Sequence, residues 1–270
     1  MGRNWLQSCP SSPDDIDRDI VQRMTEYDAS TFGEFWAPYY DDIFNEAAFE
    51  VGLLKEFAGE PPRALELAVG SGRVALPLSQ SGVALTGIDI SDEMISLLRA
   101  KPGGEAIDVI LGDFVDVGVD RTFPLVYLPF NTLFALMTQE RQVECFRNVE
   151  EALEPGGRFV LDTFVPDLRR FDDDNTRMGV SSISSNEAHA YEVSIHDPVT
   201  QTVVSHQVRR LEDGSTVVLP VVVRYAWPSE MDLMARLAGL QLEHRWAWYD
   251  KSPYTDKSGQ HVSVYRKPLE

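Results

Sequence analysis

The chain has 270 residues, 43% hydrophobic and 25% charged, enough apolar material for one large α/β domain with an elaboration. Against 43 Asp and Glu stand 24 Lys and Arg, a formal net charge of −19 that repels phosphate backbones and anionic lipid. That excludes nucleic acid and membrane surfaces as expected partners and leaves a small molecule, with the acidity itself read mainly as an aid to solubility. Cys9 and Cys145 are the two cysteines, and their separation fits neither a disulfide framework nor a zinc site, so no metal is expected. No stretch approaches a membrane span, and the N-terminus lacks the basic start and apolar run of a leader, so the expected location is the cytoplasm.

In chain order, Met1 to Pro13 is rich in Ser and Pro and is expected to be poorly ordered, while Asp14 to Ala58 reads as helical and aromatic. A strand at Ala64 to Leu67 breaks at Gly70-Ser71-Gly72. A short helix (Val74 to Gln80) and a strand (Val83 to Ile88, ending on Asp89) follow. Ser91-Asp92-Glu93 opens the next helix with a cap and an acidic first turn. Strands then read at Ala106 to Leu111 and Leu125 to Pro129, a helix at Gln139 to Leu153, and a fifth strand at Arg158 to Phe164 after Pro155-Gly156-Gly157. Nearly continuous apolar strands alternating with helices predict a parallel sheet covered on both faces.

Beyond that point the pattern changes. Three runs rich in β-branched residues, Tyr191 to Ile195, Thr202 to Arg210 and Thr216 to Tyr225, are separated by Asp197-Pro198 and Asp213-Gly214 and predict a small antiparallel insert. A helix from Pro228 to Leu237 and strands at Gln241 to Tyr249 and His261 to Arg266 close the chain. The predicted organisation is an aromatic helical lid (1–58), a Rossmann-like core (59–170), the β insert over the acceptor site (171–226) and a terminal helix and hairpin (227–270).

The chemistry-bearing motif is Glu66-Leu67-Ala68-Val69-Gly70-Ser71-Gly72, between a strand and a helix. Glycines there allow a sharp turn and close approach to a ligand, with a helix N-terminus behind. Asp89 ends the next strand, roughly twenty residues on, where a carboxylate can take both ribose hydroxyls of an adenosine. Gly70-x-Gly72-x-x-Ala75 also fits a dinucleotide fingerprint, so an NAD-dependent oxidoreductase competes. Glu66 ahead of the glycines, Gly112-Asp113-Phe114 after the third strand, and a helix–hairpin ending favour S-adenosylmethionine (SAM) instead.

In order and spacing these segments, with Gly87-Ile88-Asp89-Ile90-Ser91 and Leu153-Glu154-Pro155-Gly156-Gly157, resemble the successive signatures of class I SAM-dependent methyltransferases. The resemblance covers about Tyr39 to Phe164 and departs at Ala68, where many members carry a first glycine. It implies a class I fold: a mostly parallel seven-stranded sheet, helices on both faces, and the β insert after the fifth strand. It also implies SAM as cofactor, with S-adenosylhomocysteine as product. Gly70 and Gly72 would contact the methionine portion, with Glu66 near its charged end; Asp89 would hold the ribose, and Asp113 with Phe114 the adenine. Tyr40-Asp41 resembles a Tyr-Asp pair over the methionine end, and Ala68, Ile90, Met94 and Phe130 complete the expected cofactor set. A looser likeness, in Leu125 to Asn131 and the insert, points to actinobacterial natural-product enzymes, including amino-sugar N-methyltransferases.

Transfer from a sulfonium asks mainly for alignment and exclusion of water, so no catalytic residue type is obligatory. The expected acceptor is a small molecule, an amine or a hydroxylated metabolite, meeting SAM beyond the fourth strand. Expected acceptor contacts are Tyr39, Asn131, Phe134, Arg224, Tyr225 and Trp227, with Tyr40, Asn131 and Tyr225 as candidates for catalysis. His189, His196, His206, His244 and His261 offer bases but read as structural histidines. A non-catalytic SAM-binding protein is the remaining alternative, and the expected assembly is a monomer or homodimer.

Overall fold

The structure, a computed structural model, describes residues 27, 30–44, 48–116, 118–182, 189–211 and 214–269. The expectation of disorder over Met1 to Pro13 and of helix from Asp14 onward through the early twenties lies outside the described residues.

Two helices, α1 (Thr31–Ile43) and α2 (Ala48–Phe57), precede the sheet. The core then alternates β1 (Arg63–Leu67), α3 (Ala75–Gln80), β2 (Ala84–Asp89), α4 (Asp92–Ala100), β3 (Asp108–Leu111), β4 (Phe123–Leu128), α5 (Gln139–Ala152) and β5 (Leu153–Phe164). The insert comprises β6 (Thr176–Ser182), β7 (His189–Asp197), β8 (Thr202–Arg210) and β9 (Thr216–Arg224), followed by α6 (Pro228–Leu237), β10 (Gln241–Trp246) and β11 (Gln260–Arg266).

The large sheet has seven strands in the order β10-β11-β5-β4-β1-β2-β3. Pairs β1/β2, β2/β3, β1/β4 and β4/β5 are parallel, while β11 runs antiparallel to β5 and β10. Leu65, Leu67, Val126, Leu128, Phe159 and Leu161 face one apolar cluster, and Ala64, Leu125, Tyr127 and Val160 the other. A strand apolar on both sides must be covered on both sides, which is why these runs pair in parallel beneath helices. The direction of strand addition reverses between β1 and β4, the switch point at which open α/β sheets form a crevice beyond their carboxyl ends.

Local chemistry sets the helix starts. Ser91 accepts the Met94 N–H at 3.2 Å to cap α4, Thr138 accepts the Arg141 N–H at 3.2 Å to cap α5, and Pro228 opens α6 after Trp227.

The insert is a four-stranded meander, order β6-β7-β8-β9. Its first strand is absent from the sequence reading: Thr176–Ser182 has no clear alternation, yet it pairs with β7 from Thr176↔Ile195 to Ser182↔His189. Tertiary pairing overrides weak local propensity there. The fifth strand begins at Leu153, not Arg158, because Gly156 at φ +79° lets the chain bend while remaining in the strand.

Candidate active site

At the end of β1 the Glu66 carboxylate is fully buried and accepts the Tyr127 hydroxyl at 2.6 Å. Burial lifts its pKa to about 8, against the Tyr127 hydrogen bond and the positive Arg73, which both favour the anion. The chain then turns through Ala68 and Gly70, both with positive φ (55° and 54°). Asp89, at the tip of β2, stitches this turn to its own: one oxygen accepts the Gly70 N–H at 2.6 Å and the other the Ser91 N–H at 2.9 Å.

Helix α1 is fastened to the same loop. The Asp41 carboxylate accepts the Ser71 hydroxyl at 2.6 Å and the Lys101 ammonium at 2.7 Å, and Lys101 also donates to the Ser71 carbonyl at 2.8 Å. That places Tyr40 over the cleft, edge-on to Phe130 (6.3 Å between centroids). Burial pushes the Tyr40 hydroxyl up to about 12, with Arg73 opposing. Arg73 is paired with Glu50 at 2.7 Å, and its guanidinium lies 5.1 Å from the Phe130 ring centroid.

Beyond β4, Phe130 and Asn131 are consecutive left-handed residues (φ 66° and 61°), a conformation bulky side chains rarely adopt. The neighbouring strand holds it: Asp162 accepts the Phe130 N–H at 2.9 Å, and Asn131 Oδ1 accepts the Phe164 N–H at 2.6 Å. Asp162 is itself fixed by the Tyr249 hydroxyl at 2.6 Å. On the far side of the glycine loop, Asp113 accepts the Val115 N–H at 2.8 Å and Arg141 at 3.0 Å, beside Phe114.

These walls line a cavity of about 660 Å³, bordered by α1 and the insert. From the cofactor set, Tyr40, Glu66, Ala68, Gly70, Asp89 and Ile90 line it, as do Met94, Asp113, Phe114 and Phe130. From the acceptor set, Asn131 and Tyr225 line it. The Tyr225 hydroxyl meets His196 Nε2 at 2.9 Å, and the imidazole stacks on Phe171.

Five expected contacts lie elsewhere, each for a visible reason. Gly72, at φ +80°, turns the chain against the helices, and a side chain there would strike Leu98 and Leu76. Phe134 is buried in the core against Phe164. Arg224 spends its guanidinium on Gln142, Gln201 and Glu230 (2.7, 3.2 and 2.9 Å), welding the insert to α5 and α6. Trp227 is 40% exposed at the start of α6, and Tyr39 packs half-buried on the Trp36 cluster.

Among the other histidines, His206, His244 and His261 do not line the cavity. His261 is buried between Thr163 (3.0 Å) and Ser263 (2.9 Å), and burial lowers its pKa to about 3, with the positive Arg245 adding to the effect. The His189 side chain lies outside the described residues. Sequence reasoning missed Trp36, Arg73 and Asp162 as parts of the site. The first two lay in plain view, in the aromatic helix and directly after the glycines; Asp162 sits inside an apolar strand with nothing to mark it.

Comparison with known proteins decides the family. Residues 64–157 match the family described as a methyltransferase domain. The chain is 33% identical to the CcbJ methyltransferase from Streptomyces caelestis, over 90% of this chain and 100% of that one, with a TM-score of 0.80. The chain belongs to the class I SAM-dependent methyltransferases.

This methyltransferase is also 26% identical, over 247 residues, to the cypemycin N-terminal methyltransferase of a Streptomyces species, covering 89% of this chain and 99% of that protein. Its fold matches that of SAM-bound CalS10, an amino pentose methyltransferase from Micromonospora echinaspora (TM-score 0.60, 16% identity, 93% and 96% covered). Family membership sets aside the dehydrogenase and the non-catalytic binder, and SAM is the cofactor. The methyltransferase's own residues fit it: a left-handed glycine with no side chain to block approach, and a carboxylate pinned at a strand tip by two backbone N–H groups.

Proposed function

We propose that this methyltransferase methylates a nitrogen of a small natural-product acceptor held between the glycine loop and the insert. The observation that carries this reading is the cavity between the glycine loop and the insert. At about 660 Å³ it is in the range of small-molecule sites, and residues of α1 and the insert form part of its wall. An amine needs less help from a base than a hydroxyl does, which suits a wall made mostly of aromatic and aliphatic side chains. The N-terminal methylation named for the cypemycin enzyme and the amino pentose named for CalS10 support the same class of acceptor.

In this reading Asp89 uses its free lone pairs on the ribose, and Asp113 with Phe114 holds the adenine. Glu66, Ala68, Gly70 and Tyr40 hold the methionine portion, while Ile90, Met94 and Phe130 pack around it. SAM supplies a methyl group already activated on sulfonium. The protein's part is then to align the acceptor and keep water out, and the aromatic set Trp36, Tyr40, Phe44 and Phe130 does the second. Asn131 and Tyr225 orient the acceptor, and the Tyr225–His196 pair offers a place for the departing proton. Helices α1 and α2 and the insert act as lids of one domain.

The test is initial-rate turnover of SAM with matched panels of primary amines, secondary amines and phenols. Methylation of amines with phenols inert is expected; phenols methylated with amines inert would make the chain an O-methyltransferase.

A further inference from the structure

The cavity side of the insert is read from register. Glu192 and Ser194 on β7 line the cavity and stand opposite Gln207 and Ser205 on β8, which line it too. Val203, two residues earlier on β8, also lines it, so the odd-numbered side chains of β8 point inward. Arg209, two residues beyond Gln207 on the same face and opposite Val217 of β9, lies just past the residues that line the cavity.

Most polar groups on this face are satisfied by one another. Arg177 pairs with Glu192 at 3.4 Å, and Ser194 links Glu192 and Ser205, each at 2.8 Å. The row stops there. Among the described residues, Gln207 Oε1, Arg209 Nε and Arg209 Nη2 are buried without a hydrogen-bond partner, and Arg209 as a residue is 8% exposed. A buried guanidinium without an anion is among the costliest arrangements in a fold. Buried polar atoms without partners call for an explanation, and a ligand is one.

The free atoms specify the chemistry. Nε and Nη2 form one edge of the guanidinium, a two-pronged donor matched to the two oxygens of a carboxylate. The carboxamide oxygen of Gln207, two residues away on the same face, accepts a hydrogen bond and so selects a donor close to that carboxylate. We propose that Arg209 and Gln207 form a carboxylate subsite of the acceptor pocket, and that the acceptor is an amine carrying a carboxylate with a neighbouring N–H or O–H. Amino acids and molecules with a peptide-like acidic end have this pattern. The inference rests on the small-molecule methyltransferase reading and adds the class of acceptor.

The experiment uses the full chain saturated with S-adenosylhomocysteine. Glycine, L-valine and L-phenylalanine are titrated calorimetrically against their carboxamides, in the wild type, Arg209→Met and Arg209→Lys. At least one acid should bind about tenfold tighter than its amide, Arg209→Met should abolish that preference, and Arg209→Lys should restore part of it. Equal binding of acids and amides, no binding of either, or a preference that survives in Arg209→Met would overturn the proposal. Thermal melts without acceptor give a second reading. Arg209→Met should match or exceed the wild-type Tm, because an unpaired buried charge is replaced by an apolar chain of similar size. A clearly lower Tm would mean that Arg209 already pairs with an acid of its own chain, and the subsite would fall. Failure of S-adenosylhomocysteine to bind the wild type strikes the cofactor assignment instead; normal binding without an acid preference strikes the subsite alone.

Discussion

The indole N–H of Trp36 donates to the Pro220 carbonyl at 2.9 Å, joining the first helix to the last strand of the insert across the cavity. Both elements are buried at the joint, with Trp36 1% and Leu219 0% exposed. Pro220 has no N–H to offer β8, yet its carbonyl is engaged by a side chain 184 residues earlier. Helix α1 and the insert are thus tied to each other. Trp36→Phe keeps the stacking on Phe32 but removes the donor and leaves a buried carbonyl unpaired. It should cost about 1–3 kcal/mol of stability and loosen the acceptor more than the cofactor. Thermal melts together with KM for both substrates check this; a raised KM for SAM alone would show that the two lids act separately.

Glu66 makes stability depend on pH with a definite sign. Its folded-state value, about 8, lies above the ordinary 4.5, so folding favours the protonated carboxyl. Its contribution is fully present below about pH 4.5 and is lost as pH rises through about 8. Glu66→Gln keeps an acceptor for Tyr127 and has no proton to lose. Across that window the wild-type Tm should fall relative to the variant, and parallel curves would refute the assignment.

Tyr225 faces the cavity while its hydroxyl is held by His196. Tyr225→Phe keeps the ring and should leave S-adenosylhomocysteine affinity within about twofold, since its hydroxyl is engaged by His196. Acceptor turnover should fall, and its pH profile should change. A proportional loss of cofactor binding would mean that Tyr225 acts through the fold.

Gly70→Val puts a branched side chain at φ +54°, 3.3 Å from Met94 at its first atom, on the wall of the cavity. Cofactor binding should be abolished, with a stability loss of about 1 kcal/mol or more from the strained backbone. Normal SAM affinity in a folded variant would move the cofactor off this loop.

Much of this arrangement was legible in the sequence, and its gaps have physical causes. Strands β1, β2 and β4, the turn at Gly70 and the carboxylates Asp89 and Asp113 were readable because local rules set them: apolar runs, a glycine where φ must be positive, an acid at a strand tip. Gly72 shows the limit. Its pattern is the same as that of Gly70, but its neighbours are Leu76 and Leu98, which only packing reveals. Arg224 and Trp227 were expected in the pocket because the last insert strand feeds the terminal helix there. At the end of that strand Arg224 instead pairs with Gln142 and Glu230, and the helix begins at Pro228. Asp162 and the β6 strand escaped because long-range pairing alone defines them.

The central claim is that the glycine loop and Asp89 hold SAM, and calorimetry on the wild type and Asp89→Ala tests it most directly. The wild type should bind SAM and S-adenosylhomocysteine at one site per chain and leave NAD unbound. Asp89→Ala removes the acceptor of the Gly70 N–H along with the ribose contact, and should weaken binding by about 2–4 kcal/mol, roughly 30- to 1,000-fold, in a folded protein. An unchanged dissociation constant in folded Asp89→Ala, or NAD bound in preference to SAM, would contradict the account.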